Sequence, residues 1–152
     1  MQISLTILGN PIAKARPRFV RMGKFVKTYN IQDTEEGKFK WEILRGVLPH
    51  RTGEGALFPS NIPIKIITIF YMKRPKNHYG TGKNSEKLKI TSQFCHLSKP
   101  DLDNLNKMVY DCCNQIVWVD DSQVCEAYSR KEYSGNPRTE IIISERSITF
   151  SS

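Results

Sequence analysis

Residues 99–126, KPDLDNLNKMVYDCCNQIVWVDDSQVCE, contain carboxylates and a lysine at spacings that could do metal-dependent chemistry. Asp101 and Asp103 lie one residue apart, and Lys107 follows Asp103 by about one helical turn. Asp121 belongs to a second acidic pair further along. Mg²⁺ prefers oxygen ligands and is usually held by one or two carboxylates together with a substrate phosphate. Three converging aspartates beside a lysine would therefore hold Mg²⁺ and a phosphodiester, with the lysine offsetting charge on the phosphate.

The elements around these groups could bring them together. Apolar residues recur at intervals of three and four, which predicts an amphipathic helix with one face on a core; they are Leu102, Leu105, Met108, Val109, Cys112, Cys113 and Ile116. Asp103 and Lys107 fall on the opposite face. Residues 116–119, IVWV, predict a short strand that returns along the helix and could carry Asp121 towards Asp103.

Each acidic group also has a purely structural interpretation. Asp101 and Asp103 could only stabilise the helix N-terminus, at about 0.3–1 kcal/mol each, and Asp103 with Lys107 could be an ordinary surface ion pair. Asp120 and Asp121 could belong to a plain turn, because Asp favours turns through local hydrogen bonds. Spacing alone leaves both interpretations open.

The complete pattern is more specific than its parts. The order D-L-D-N-x-x-K, apolar helix, V-W-x-D-D resembles the RusA family of Holliday junction resolvases, which are small endonucleases of phage and prophage origin. An N-terminal P-x-x-K-x-R-P-R, present at residues 11–18, extends the resemblance. The middle of the chain matches only in the order of its elements.

The resemblance implies an endodeoxyribonuclease that resolves four-way DNA junctions in recombination and repair. It places the catalytic residues at Asp101, Asp103, Lys107 and Asp121, with the three aspartates binding Mg²⁺, and leaves Mn²⁺ as the other possible ion. Asp120 matches a position whose role is less firmly catalytic. The resemblance also implies a homodimer whose two active sites nick opposing strands of the branched substrate.

Composition and charge agree with a nucleic-acid partner. The chain has 152 residues, 39% of them hydrophobic, which suits one domain with a normal core. Its 23 Lys and Arg against 15 Asp and Glu give a formal net charge of +8, which favours an anionic polymer or membrane surface. No apolar run approaches the roughly 18–20 residues that span a bilayer. We therefore expect no membrane-spanning helix and a cytoplasmic location, that of the host if a phage encodes the protein. Of the two anionic partners we expect nucleic acid and no membrane.

Two segments are rich in cations. Residues 18–21 and 24–28 predict a hairpin, and six cations in and before it, with no acidic residue among them, are expected to bind DNA phosphates; they are Lys14, Arg16, Arg18, Arg21, Lys24 and Lys27. The alternative is a solvated edge protected by its charge. Residues 73–93 are basic and poor in apolar side chains, and predict a mobile loop that could close over nucleic acid.

The order of elements predicts a single α+β domain over residues 1–152, with a mixed β-sheet and two main helices, as in RusA-like proteins. Strands are expected at residues 1–8 and 63–72. A final pair at 124–133 and 138–144 is expected to form an antiparallel hairpin, because the residues between them favour turns.

The first helix is expected to begin at Asp33, where Glu36 completes an N-terminal signature. Phe39, Ile43 and Val47 form its apolar face. Trp41 lies off that face, and we expect it to be partly buried in the core.

Two other functions remain open at this point. A basic DNA- or RNA-binding module without catalysis would use its acidic residues only as caps and turns, and would show no metal-dependent cleavage. A nuclease of the same chemistry could instead act on flaps or replication forks. A panel of branched substrates separates this last function from junction resolution.

Overall fold

The structure, a computed structural model, describes residues 1–29 and 33–147. The α+β class with two main helices is confirmed. The helices and strands follow in chain order: β1 (Gln2–Leu8), β2 (Arg18–Met22), β3 (Phe25–Tyr29), α1 (Asp33–Val47), β4 (Ile64–Lys73), α2 (Leu102–Cys113), β5 (Val124–Ser134) and β6 (Arg138–Glu145).

Four strands form a mixed sheet in the order β1-β6-β4-β5. β6 pairs antiparallel with both β1 and β4, whereas β4 pairs in parallel with β5. A parallel pair requires a crossover connection, and α2 lies in the one between β4 and β5. This connection places α2 over the strands that it joins.

One core holds the sheet and both helices together. Alternate residues of β1, β4 and β6 are buried, as the period of two predicts for a sheet with one covered face. The predicted apolar face of α1 is confirmed, since Phe39, Ile43 and Val47 are buried. Five of the seven residues expected on the face of α2 are buried, namely Leu105, Met108, Val109, Cys112 and Cys113. Leu102 is partly buried, and Ile116 lies in the turn beyond the end of the helix at Cys113. The two helices therefore share one face of the sheet.

The expected hairpin of β5 and β6 is wrong, although both strands form where the sequence predicts them. β4 lies between them and pairs with each. Two strand spacings amount to about 10 Å, a distance that the short connection at residues 135–137 can span. The ten-residue, alternately buried β4 occupies the central position that its apolar residues favour.

The predicted strand at residues 116–119 is also wrong. A tight turn follows α2, with Gln115 at a φ of 66° and its N–H donating to the carbonyl of Trp118 over 2.7 Å. Val117 and Trp118 are fully buried. These residues are apolar because their side chains fill the core beneath the turn. Burial of two consecutive residues does not follow the alternation of a half-buried strand.

Two further regions differ from expectation or extend it. Trp41 is 60% exposed, so its expected burial in the core is wrong; it lies on the outer side of α1. Residues 73–93 contain two short 3₁₀ helices, Lys76–His78 and Gly82–Asn84, and the mobility of this segment stays a prediction.

Within the part of the chain that the structure describes, no helix is long and apolar enough to cross a membrane.

Candidate active site

The start of α2 is fixed by a lysine from the neighbouring strand. Lys131 of β5 donates from its Nζ to the carbonyls of Ser98, over 2.7 Å, and of Pro100, over 2.8 Å. These carbonyls belong to the residue directly before Asp101, the N-cap residue of α2, and to the residue two positions earlier. Lys131 therefore holds the backbone that leads into the first aspartate pair. No motif in the sequence points to Lys131, because it is close to Asp101 in space and far from it along the chain.

Asp101 does not act as a side-chain cap. Its carboxylate accepts no hydrogen bond from the helix N-terminus and instead pairs with Lys99 Nζ at 2.5 Å. The hydrogen bond from Lys99 lowers the pKa of Asp101, and the charges of Lys99 and Lys131 act in the same direction. The carboxylate of Asp101 is thus paired with a neighbouring cation and does not cap the helix.

Asp103 and Lys107 are exposed on α2. Asp103 accepts a hydrogen bond from the N–H of Asn104 over 2.9 Å. No salt bridge joins Asp103 to Lys107 in residues 1–29 and 33–147, so an ordinary surface ion pair does not explain their spacing.

Asn106 sets the rotation of α2 on the sheet. Its Oδ1 accepts hydrogen bonds from Thr68 Oγ1 of β4, over 2.8 Å, and from Ser129 Oγ of β5, over 2.9 Å. Thr68 is fully buried. A buried polar network of this kind fixes one arrangement, because each broken bond would leave a buried group unpaired. With Asn106 turned to the sheet, Asp103 and Lys107 face outward.

The second acidic pair has divided roles. Asp120 caps a 3₁₀ turn, Asp121–Gln123: its carboxylate accepts from the N–H of Ser122 over 3.1 Å, and Gln123 Oε1 accepts from the N–H of Asp120 over 3.2 Å. Gln123 also donates to the carbonyl of Pro59 over 2.7 Å. Asp121 is exposed. The turn interpretation therefore explains Asp120 and leaves the carboxylate of Asp121 for another use.

Asp121 lies beside the later part of α2. Burial raises the pKa of the Tyr110 hydroxyl, and the nearby charge of Asp121 raises it further. Asp103, Lys107 and Tyr110 share one face of the helix, because their spacings are close to whole turns. Along the axis, Tyr110 is about 10 Å from Asp103. Asp103 and Lys107 therefore share one exposed face of α2, and Asp121 lies near the later part of the helix.

The predicted meeting of three aspartates is not present as a closed cluster. Among the described residues, no group of three Asp, Glu, His or Cys side chains is arranged to hold a metal ion. Glu126, a further acidic residue near the turn, forms ion pairs with Lys65 at 3.1 Å and Arg146 at 2.9 Å, which gives it a structural role.

The predicted DNA-binding cations fall into two groups. β2 and β3 form a separate two-stranded hairpin whose turn is Gly23 and Lys24, and the positive φ of 62° at Gly23 suits a glycine. The exposed group comprises Arg16, Arg18, Arg21, Lys24 and Lys27.

Lys14 differs from the other cations, because it lies between the two helices. Its Nζ is 2.7 Å from Glu36 of α1 and 3.5 Å from Asp111 of α2. Burial acts to lower the pKa of Lys14, but the hydrogen bonds and charges of the two carboxylates outweigh it and raise this pKa. Lys14 therefore links the helices, and its contact with DNA stays a prediction.

A short extended segment covers part of the free edge of β5. The N–H of Tyr133 donates to the carbonyl of Phe94 over 2.9 Å, and Cys95 bridges antiparallel to Glu132. His96 follows on this segment and packs its ring 4.9 Å from that of Tyr133. Burial and the charge of Lys131 lower the pKa of His96. This pairing secures the residues that precede α2 against the sheet.

Comparison with known proteins places most of the chain in the family that its sequence motifs resemble. The family model described as endodeoxyribonuclease RusA matches residues 9–144. The chain is also 33% identical over 145 residues to an uncharacterized protein of Bacillus subtilis strain 168, YqaN, and the match covers 94% of this chain and 96% of that protein.

Proposed function

This chain belongs to the RusA family of endodeoxyribonucleases, and from that premise we propose that it resolves four-way DNA junctions by Mg²⁺-dependent hydrolysis at the outward face of α2. The observation that carries the choice of site is the exposure of Asp103, Lys107 and Asp121 along one side of a helix whose rotation Asn106 fixes. Turn capping accounts for Asp120 and leaves Asp121 exposed, whereas Asp103 also accepts a hydrogen bond from the N–H of Asn104 in the first turn of α2.

The donor chemistry fits Mg²⁺, although no three-residue cluster is formed in advance. Mg²⁺ keeps several waters and usually takes only one or two carboxylates, with substrate phosphate oxygens completing its shell. Asp101 and Asp103 would supply the first carboxylates, and Asp121 would join from the later part of the helix. Bound there, Mg²⁺ would supply Lewis-acid polarisation of the phosphate and activation of water.

The protein side chains divide the remaining work. Lys107 would place its ammonium against a phosphate oxygen and offset the charge that develops there as water forms a new P–O bond and the bond to the leaving oxygen breaks. Lys131 would act as a positioning residue, because it fixes the two carbonyls before Asp101. Lys99 pairs with Asp101 at 2.5 Å, so its ammonium would have to leave this carboxylate before the ion could bind there.

Binding would use the hairpin cations. Arg18, Arg21, Lys24 and Lys27 are exposed and would contact phosphates, which supports affinity more than sequence choice. We further propose a homodimer, since a four-way junction with two-fold symmetry is matched by a protein with two-fold symmetry. Sedimentation at micromolar concentration tests this, and a monomer that still makes paired nicks would contradict it.

The central experiment uses one labelled four-way junction with Mg²⁺. Asp103→Asn should abolish nicking and keep junction binding, because the amide keeps the shape of the side chain and loses its charge. The adjacent pair gives a matched control: Asp121→Asn should lose nicking, whereas Asp120→Asn should retain it, since Asn also caps turns. Retained nicking in Asp103→Asn would remove this residue from the mechanism.

Substrate choice is tested on a panel of junctions, flaps and forks with the same flanking sequence. Paired symmetric nicks in the junction, at a higher rate than in the other substrates, are expected. Faster cutting of flaps or forks would replace junction resolution by the related activity on those substrates.

A further inference from the structure

The tip of the β2–β3 hairpin exposes apolar side chains where a surface loop would normally be polar. Every residue from 18 to 28 is exposed. Met22 and Phe25, which flank the turn, are 60% and 79% exposed. An isolated two-stranded hairpin is marginally stable in water, and clustered exposed apolar groups mark interaction sites. The tip therefore has the character of a contact surface.

Strand register defines which side chains share the tip. Met22 pairs directly with Phe25, so their side chains lie together on one face next to the turn. Phe19, which pairs with Thr28, lies on the opposite face. It is 69% exposed and sits about 10 Å further along the strand. Two phenylalanines of similar exposure thus occupy different faces and different distances from the tip.

The charges around the tip identify the partner. Arg21, Lys24 and Lys27 surround it, and residues 11–29 contain no Asp or Glu. A second copy of this chain carries the same net charge of +8 and the same basic hairpin, which disfavours tip-to-tip contact. A polyanion with accessible apolar surfaces satisfies both features, and nucleic acid combines phosphates with base faces.

We propose that Met22 and Phe25 insert beside bases at the branch point of the DNA junction while the surrounding cations hold its phosphates. This inference rests on the proposed function and adds the contact that selects branched over linear DNA. In a continuous duplex the base faces are covered by their neighbours, whereas a branch point interrupts stacking. Apolar wedges of this kind open base steps in other DNA-binding proteins, and base–aromatic stacking supplies enough energy to select a site.

The experiment measures binding in EDTA, so that cleavage does not interfere, to a four-way junction and to a linear duplex of equal length. Phe25→Ala should lower the ratio of junction affinity to duplex affinity about tenfold. Phe19→Ala is the matched control and should change that ratio less than about twofold. Phe25→Trp should restore the selectivity, because it restores an aromatic face. Lys24→Gln should instead weaken binding to both DNAs and reduce the salt dependence.

A second measurement reports the insertion directly. With 2-aminopurine at the branch point, the wild-type protein and Phe19→Ala should raise its fluorescence through unstacking, and Phe25→Ala should not. Unchanged selectivity in Phe25→Ala would overturn the proposal while leaving the nuclease assignment intact. Loss of a dimer in Phe25→Ala at unchanged selectivity would also overturn it and would make the tip a contact between copies. Equal wild-type affinity for junction and duplex would count against junction resolution itself.

Discussion

The start of α2 and the tip of the β2–β3 hairpin are both exposed and charged, but they are held in different ways. Lys131 and Asn106 connect α2 to β4 and β5 through hydrogen bonds of 2.7–2.9 Å. The hairpin forms a separate two-stranded sheet. Hydrolysis requires groups fixed to within fractions of an ångström, whereas a binding surface can adjust to its partner. Under the proposed function, the anchored start of α2 suits hydrolysis and the separate β2–β3 hairpin suits recognition.

The largest expected effect is on the free energy of unfolding, which should depend strongly on the packing around α2 and weakly on the hairpin tip. Trp118→Ala should lower the free energy of unfolding by about 3–5 kcal/mol, because Trp118 is fully buried under the turn after α2 and donates to Asn114 Oδ1 over 2.7 Å. Phe25→Ala should change it by less than about 0.5 kcal/mol. Urea denaturation measures both. A large loss in Phe25→Ala would show that the hairpin belongs to the cooperative core.

An intermediate effect is expected at the positioning lysine. Lys131→Met removes the donor to the carbonyls of Ser98 and Pro100 and should reduce junction cleavage roughly tenfold. Binding to the junction should stay within about twofold of wild type, because the hairpin is unaltered. Lys131→Arg should recover part of the rate, since its guanidinium can donate to the same carbonyls. Parallel losses of binding and cleavage would show that Lys131 contacts DNA instead.

The smallest effect concerns the charge of one carboxylate. In Lys99→Met the pKa of Asp101 should rise towards its ordinary value, because the hydrogen bond that lowers it is lost. A lowered folded-state pKa contributes stability above the unfolded value of about 3.9, and this contribution disappears as the pH falls through the folded-state pKa. Carbon-detected NMR titration measures the change. Asp120, whose pKa is lowered by hydrogen bonds from Ser122, should titrate as before.

Local patterns predicted the elements well and their partners less well. The apolar stripes of α1 and α2 and the positions of β1, β4, β5 and β6 follow from periodicities of 3.6 and two. The pairing of strands cannot be predicted in this way. A connection of three residues can join two neighbouring strands in a hairpin, or two strands with a third strand between them, as β4 lies between β5 and β6. The strand predicted at residues 116–119 is wrong for a related reason. A turn whose side chains fill the core is as apolar as a strand.

The site divides in the same way. The spacing of Asp101, Asp103 and Lys107 is a local property of one helix, so the motif was recognisable in the sequence. The roles of Lys131 and Asn106 depend on contacts between residues distant in the chain, which no spacing encodes. Lys14 is grouped with the DNA-binding cations because of its place in the sequence. Its ion pairs with Glu36 and Asp111, which lie on two separate helices, could not be predicted from that place.

The extended segment at residues 94–96 has a consequence for assembly. By bridging to β5 it occupies part of one margin of the four-stranded sheet, while β1 forms the opposite margin. Unpaired backbone groups along a margin attract strands from other molecules. The segment therefore blocks addition of a foreign strand at the end of β5 that contains Lys131, and it leaves the opposite edge strand, β1, uncovered.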